Sequence, residues 1–436
     1  MVEERRETES LLVGKKVYVP RMTWGGAMAF AAALRAIGVD AEISPESDKR
    51  AMELGAKFTS GDECYPAKVT MGELMKVTEL PGFVPEKTVF FMPTATGPCR
   101  FGQYAPYLRR ILRELGYEKV IVFDPSSENG YDEVGAQAGE LMRTGWWALV
   151  ASDFLRKMLL KTRPYEIHKG DTDAVYQEAI HDLCRVLEQP GVKLKVKFNN
   201  ILESLTRSRD KFRMIPAKYD PTRPLIGVVG EIFCRLNRFS NEELVRKIEE
   251  HGGEAWLSDV AEWIWYTNWE QQKNLRMMGK RFSKDMLFAK IKAFVQKHDE
   301  HRLRKPFEED FVGYEEPEAD ELMRYSEPYL PPQGCLGEMV LSIGKTIYLY
   351  HKGADGIIDI SPFTCMNGIT CEAVYPSVSR DYDGLPIRNF YFDGTQYDID
   401  RDLGIFMELA RTYQKRKKKR RTYPFYFKLD TGATVH

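Results

Sequence analysis

The seven cysteines include no CxxC pair, and the seven histidines include no HxxxH pair. Those absences remove the local signatures of zinc knuckles and thioredoxin-like redox sites. Charge of either sign is not in excess. Sixty-three Lys and Arg stand against 64 Asp and Glu, a formal net charge of −1, which argues against a general nucleic-acid or membrane-surface binder. No apolar run approaches the roughly 20 residues that a membrane helix needs. The first residues, "MVEERRETESLLVGKK", are charged and lack an apolar h-region, so no secretory signal is expected. The expectation is a cytoplasmic chain without membrane or nucleic-acid partners. There, thiols serve as metal ligands or catalytic groups more often than as disulfides. A content of 43% hydrophobic residues over 436 positions is ample for two or three packed domains.

Strands alternate with helices over the first 126 residues. "KKVYVP", "VDAEIS", "KTVFFMP" and "KVIVFDP" read as strands, separated by the helical "WGGAMAFAAALRAIG", "SDKRAMELGA", "TMGELMKV" and "QYAPYLRRILRELG". This spacing predicts a doubly wound parallel sheet. From about 130 to 215 the periodicity is helical without clear strands. A second α/β pattern starts at "RPLIGVVGEIF" and continues through "SNEELVRKIEEHGG", where Ser240 precedes Glu243 at capping-box spacing. "EAWLSDV", "GADGIIDISP" and "RNFYFDG" are its further strands, 271–301 a long helical stretch, and "DIDRDLGIFMELARTYQKR" its last helix. The expected fold is therefore α/β: two Rossmann-like (flavodoxin-like) parallel-sheet domains, 12–126 and 222–415. A helical connector covers 127–215 and a basic, aromatic tail 416–436.

The two α/β blocks look like one plan used twice. Each has a Cys at a helix start, Cys64 in "DECYPAKVTMGEL" and Cys335 in "GCLGEMVLSIGKT". Each then has a strand running into a Pro-containing loop with another Cys, at Cys99 and at Cys365. Cys234 and Cys371 also fall where strand, loop and helix meet. Open α/β sheets bind ligands at the carboxyl ends of their strands, and a helix N-terminus lowers a thiol's pKa. Loops from two such sheets are expected to gather six sulfurs in an inter-domain crevice. Cys184, mid-helix in "IHDLCRVLEQ", reads instead as a small buried hydrophobe. Each of the six could also be plain buried filler. Zinc favours four local ligands, whereas iron–sulfur clusters tolerate scattered thiolates. Six thiolates suit two cubanes with three protein ligands each.

With "GDECYPAKVTMGEL", "MPTATGPCRFGQY", "GEIFCRLNRF", "PPQGCLG" and "DISPFTCMNGITCEA", the chain resembles the double-cubane cluster proteins. These lie within the family of 2-hydroxyacyl-CoA dehydratase and benzoyl-CoA reductase catalytic subunits, and the resemblance spans 15 to 415. It implies two 4Fe–4S units bridged by sulfide, held by Cys64, Cys99, Cys234, Cys335, Cys365 and Cys371. It also implies low-potential electron transfer to a small molecule, a homodimer, and a separate ATP-hydrolysing iron–sulfur reductase as partner. Two alternatives stay open: a dehydratase or aryl-CoA reductase subunit with one cubane, and a non-catalytic electron store or cluster scaffold.

Other signals weigh less. "LSIGKT" resembles the end of a P-loop, but Met339 occupies the place of its first Gly, so no ATP site is assigned. Arg100 and Arg235 each follow a candidate ligand and could offset cluster charge, or be ordinary surface cations. Asp62, Glu63 and Lys68 flank Cys64 and could supply protons. His351 reads as structural. "KRKKKRR" (415–421) reads as a solvated run or a steering element, and the aromatics after it suggest a tail that docks, across a dimer for example. The catalytic residues stay unassigned.

Overall fold

The computed structural model describes residues 11–95, 97–126, 131–333, 337–395 and 398–428. It is α/β, with two four-stranded, all-parallel sheets amid helices. The chain divides into two compact units. Unit 1 comprises Met1–Ser152 and Ala179–Ser204, and unit 2 comprises Asp153–Glu178 and Leu205–His436.

Unit 1 follows the alternation that periodicity predicts. Its elements are β1 (Lys16–Val19), α1 (Trp24–Ala36), β2 (Asp40–Ile43), α2 (Lys49–Phe58), α3 (Tyr65–Val77), β3 (Thr88–Phe91), α4 (Tyr104–Glu114) and β4 (Ile121–Phe123). The strand order is β2-β1-β3-β4. β3 is buried at all four positions, as a strand covered by helices on both faces must be. The helices α5 (Ala138–Thr162), α6 (Asp171–Leu187) and α7 (Leu194–Arg213) form the strand-poor stretch and are shared between the two units.

Unit 2 repeats the plan with insertions. It runs β5 (Leu225–Gly230), α8 (Ile232–Leu236), α9 (Leu244–Glu250), β6 (Glu254–Leu257), α10 (Val260–Met277), α11 (Lys284–Arg304), α12 (Ala319–Ser326), α13 (Glu338–His351), β7 (Gly356–Pro362), α14 (Met366–Asp381), β8 (Ile387–Phe392) and α15 (Ile399–Arg416). The order β6-β5-β7-β8 matches that of the first sheet strand for strand. β5 and β7 lie at the centre, buried throughout, which explains their near-continuous apolar sequences. In each unit a close helix pair precedes the third strand. A Cβ on Gly72 of α3 would lie 1.7 Å from the Ala51 carbonyl oxygen of α2, and one on Gly344 of α13 would lie 2.3 Å from that of Leu322 in α12. Only glycine lets these backbones approach so closely.

Local readings differ from the structure in three places. The helical stretch 271–301 is broken by Gly279 at φ +73°, and Ser283 restarts it as the N-cap of α11, accepting the Met286 N–H at 3.2 Å. Ser240 does not cap α9. Its hydroxyl donates to Asn237 Oδ1 at 2.8 Å, and α9 begins four residues later, after Glu242 and Glu243 in left-handed conformation. The basic run is not simply solvated. Lys417 is buried against Asp355 at 2.6 Å, and Arg421 reaches buried Glu254 at 2.6 Å. Phe427 then packs on Tyr165 and Tyr219, so the tail docks within its own unit.

Candidate functional site: thiols at the strand ends

The carboxyl ends of β5 and β7 lie side by side, at the point where the strand order of unit 2 reverses. Gly230 ends β5 at φ +111°, where a Cβ would meet the Ile360 carbonyl oxygen at 2.1 Å. Glu231 follows and caps α8, accepting the N–H groups of Phe233 and Cys234 at 3.0 and 2.7 Å. Cys234 therefore sits one turn into a helix rather than in a loop. It is fully buried, and its thiol points at the Ser240 carbonyl at 3.8 Å.

β7 ends at Pro362, and Thr364 then adopts φ 64°. A β-branched residue in the left-handed region is strained. That turn makes Cys365 the N-cap of α14, with no capping hydrogen bond from its side chain. Cys371 lies in the second turn of α14, inside the core, with its Sγ 3.5 Å from the Met339 carbonyl. Gly368, between them, lets α14 approach β7, since a Cβ there would lie 2.5 Å from Ser361 Oγ.

The surroundings are acidic. Burial, then Glu231 and Glu338, push the Cys365 thiol up to about 12, while the Gly368 and Asn367 N–H groups pull the other way. Burial and Asp359 hold Cys371 well above its ordinary value, and Cys365 adds to the shift. Glu338 is raised to about 8 by burial and by Glu231. It accepts the Ile232 N–H at 2.6 Å and the Asn367 side-chain amide at 3.1 Å, which ties α8, α13 and α14 together. Asp359, a lone acid within β7, accepts from Tyr375 at 2.6 Å and Ser361 at 2.8 Å. Arg235 is the cation among these groups. One of its terminal nitrogens donates to the Gly230 carbonyl at 3.0 Å, while its buried Nε has no partner among the described residues.

In unit 1, Cys64 is the N-cap of α3, and its sulfur lies 2.7 Å from the Tyr104 hydroxyl. Cys99 precedes a short 3-10 turn at the end of the β3 loop and is exposed. Arg100 ties these two segments, donating to the Asp62 carbonyl at 2.7 Å. Glu63 is spent on its own loop, accepting from Ser60 and Gly61. Cys335 lies outside the described residues. Cys184 is buried mid-α6, where burial pushes its thiol up to about 12.

No protein-family model matches this chain, and no curated protein matches it either. Among the described residues, no group of three or more His, Cys, Asp or Glu is arranged to hold a metal ion. Cys365 and Cys371 interact electrostatically, and Cys365 faces first-turn N–H groups of α14. Buried thiols with such raised pKa values are neutral until a metal draws the proton off, which coordination does outright. The buried Arg235 Nε, without a hydrogen-bond partner among the described residues, is an N–H donor near Glu338 and Asp359, the kind of group that stabilises sulfide-rich anionic clusters. Soft donors with that neighbour fit a thiolate-held cluster.

Several of these residues carry no motif. The lone Asp359 inside "GIIDIS" was the legible hint, because an acid in a fully buried strand needs a purpose. Glu231, Glu338 and Asn367 look like ordinary helix-start residues. A cleft of about 590 Å3, lined by Glu315, Tyr325, Tyr348, His351, Lys352 and Arg420, lies at the far end of α13 from Glu338. At 1.5 Å per residue that is about 20 Å away, so His351 does not belong to the thiol site. Lys345 of "LSIGKT" is fully buried within α13 and paired with Glu262 and Glu316, so that segment is no phosphate loop.

Proposed function

We propose that the chain is an iron–sulfur reductase component whose thiolates of Cys64, Cys99, Cys234, Cys335, Cys365 and Cys371 hold a double-cubane cluster. It accepts low-potential electrons from an ATP-hydrolysing iron–sulfur reductase and passes them to a small molecule, as a cytoplasmic homodimer. The observation that carries this reading is the repeated plan: in two sheets of one strand order, the third strand of each leads to a Cys at a helix start, Cys99 and Cys365. A bound cluster of this kind supplies one-electron transfer at low potential. The protein's own part is to hold the sulfurs and exclude water around them. Cys234 and Cys371 are sealed in the core, Arg235 offsets negative charge, and the Tyr104 hydroxyl beside Cys64 can donate a hydrogen bond to a thiolate. The test is substrate reduction against ATP hydrolysis, with the chain and the reductase each alone and then mixed. The chain alone should show neither activity, and mixing should start both. ATP hydrolysis by the isolated chain at a rate the reductase leaves unchanged would contradict the two-protein scheme.

A further inference from the structure

The α10–α11 hairpin of unit 2 offers a surface that the cluster reading leaves unused. α11 is held through a narrow strip, with Met286, Ala289, Asp299 and Leu303 buried. At 100° per residue, Leu287, Ile291 and Phe294 fall on the opposite side and Phe288 on its flank, and all four are exposed, Phe288 at 68% and Phe294 at 73%. The turn before α11 adds Met277, Met278 and Phe282, the last 95% exposed. A helix apolar on two opposite sides with charged edges belongs in the middle of a helical layer. Here one of those sides is bare among the described residues. With about 150–250 Å2 on each aromatic ring, these side chains expose on the order of 900 Å2. The largest patch on a typical monomer is about 300–600 Å2, while one partner's share of a standard interface is about 800 Å2.

The edges identify the occupant. From 276 to 298 the chain carries Arg276, Lys280, Arg281, Lys284, Lys290, Lys292 and Lys297 against Asp285 alone, in a protein of net charge −1. Lys290 flanks the apolar stripe on one edge, beside Lys297, which pairs with Glu318 at the start of α12. A second copy of the same helix would set lysine edge against lysine edge, whereas acidic edges would pair with them. The stripe is one helix wide, with anchors at i, i+4 and i+7, which suits a single amphipathic helix laid along it. We propose that the α10–α11 hairpin docks an amphipathic helix with acidic edges, presented by a partner protein.

The test uses the full chain as purified and a fluorescent helical peptide of leucine heptads edged with glutamate, followed by anisotropy. The acidic peptide should bind and weaken with salt, while the same peptide edged with lysine should not bind. Phe288→Ser with Phe294→Ser should lower the affinity by at least about tenfold, with circular dichroism and iron content unchanged. Lys290→Glu, a change confined to an exposed side chain, should shift the preference towards the lysine-edged peptide. Failure of the acidic peptide to bind, or equal binding of both peptides, would overturn the proposal. So would a wild-type dimer in sedimentation that Phe294→Ser dissociates, which would assign the stripe to a second copy. Uptake of the wild type, but not the Phe288/Phe294 variant, by phosphatidylserine vesicles would overturn it in favour of a lipid surface.

Discussion

At the scale of single residues, two kinds of buried thiol differ in their surroundings. Cys184 lies mid-helix, where burial keeps it neutral and inert. Cys365 is equally reluctant to ionise but stands at a helix start, with Cys371 close enough to feel its charge. Replacing any of Cys64, Cys99, Cys234, Cys335, Cys365 or Cys371 with Ser should lower iron content or change the visible spectrum, because a hydroxyl is a poor soft-metal ligand. Cys184→Ser should leave both unchanged. Loss of iron in Cys184→Ser with retention in Cys234→Ser would remove the argument from strand ends. A second prediction concerns Glu300, raised to about 7 by burial and by the nearby Asp259, Glu316 and Asp153, although the Trp265 indole N–H donates to it at 2.8 Å. An unfolded glutamate titrates near about 4.3, so the folded chain holds this proton more tightly. That contribution is whole below about pH 4 and is lost as pH rises through about 7. Glu300→Gln stays neutral at every pH. By urea denaturation its advantage over wild type should therefore grow between pH 5 and pH 8, by on the order of 2 kcal/mol. A gap that does not change with pH would show that Glu300 titrates normally.

At the scale of elements, the close helix pairs are the most sensitive joints. Gly72→Ala would drive a methyl into the Ala51 carbonyl and force α2 from α3, at a cost of about 3 kcal/mol. Gly139→Ala, in the first turn of α5 with nothing within 4 Å, should instead stabilise by up to about 1 kcal/mol. Denaturation midpoints of the two variants check both, and similar shifts would contradict the packing argument. The strands and most helices were legible because buried parallel strands read as apolar runs and the helices carry their 3.6-residue period. The α9 start was not, because side chains of Asn237 and Asn241 organise the preceding loop, and such local bonds leave no periodic trace. Docking of the tail was legible in its aromatics, but the burial of its basic run was hidden for a related reason. Lys417 and Arg421 look like solvated charge until Asp355 and Glu254, distant in sequence, supply buried partners. Cys64, Cys99 and Cys365 stand at boundaries between elements, as their sequences suggest, whereas Cys234 and Cys371 lie inside α8 and α14. The acids around them depend on which strand ends adjoin, a matter of sheet order rather than of motif.

At the scale of the whole molecule, the repeated sheet order is the strongest regularity. β2-β1-β3-β4 and β6-β5-β7-β8 are one topology, and in each the third strand leads to a Cys at a helix start, Cys99 and Cys365. No helix among the described residues is long and apolar enough to cross a membrane. The central claim is that six of these thiols hold two cubanes, and iron with acid-labile sulfide in the anaerobically purified chain tests it most directly. The account predicts a brown protein with about eight irons per chain and a matching quantity of sulfide. About four irons would favour a single cubane, and zinc without sulfide would contradict the iron–sulfur reading altogether.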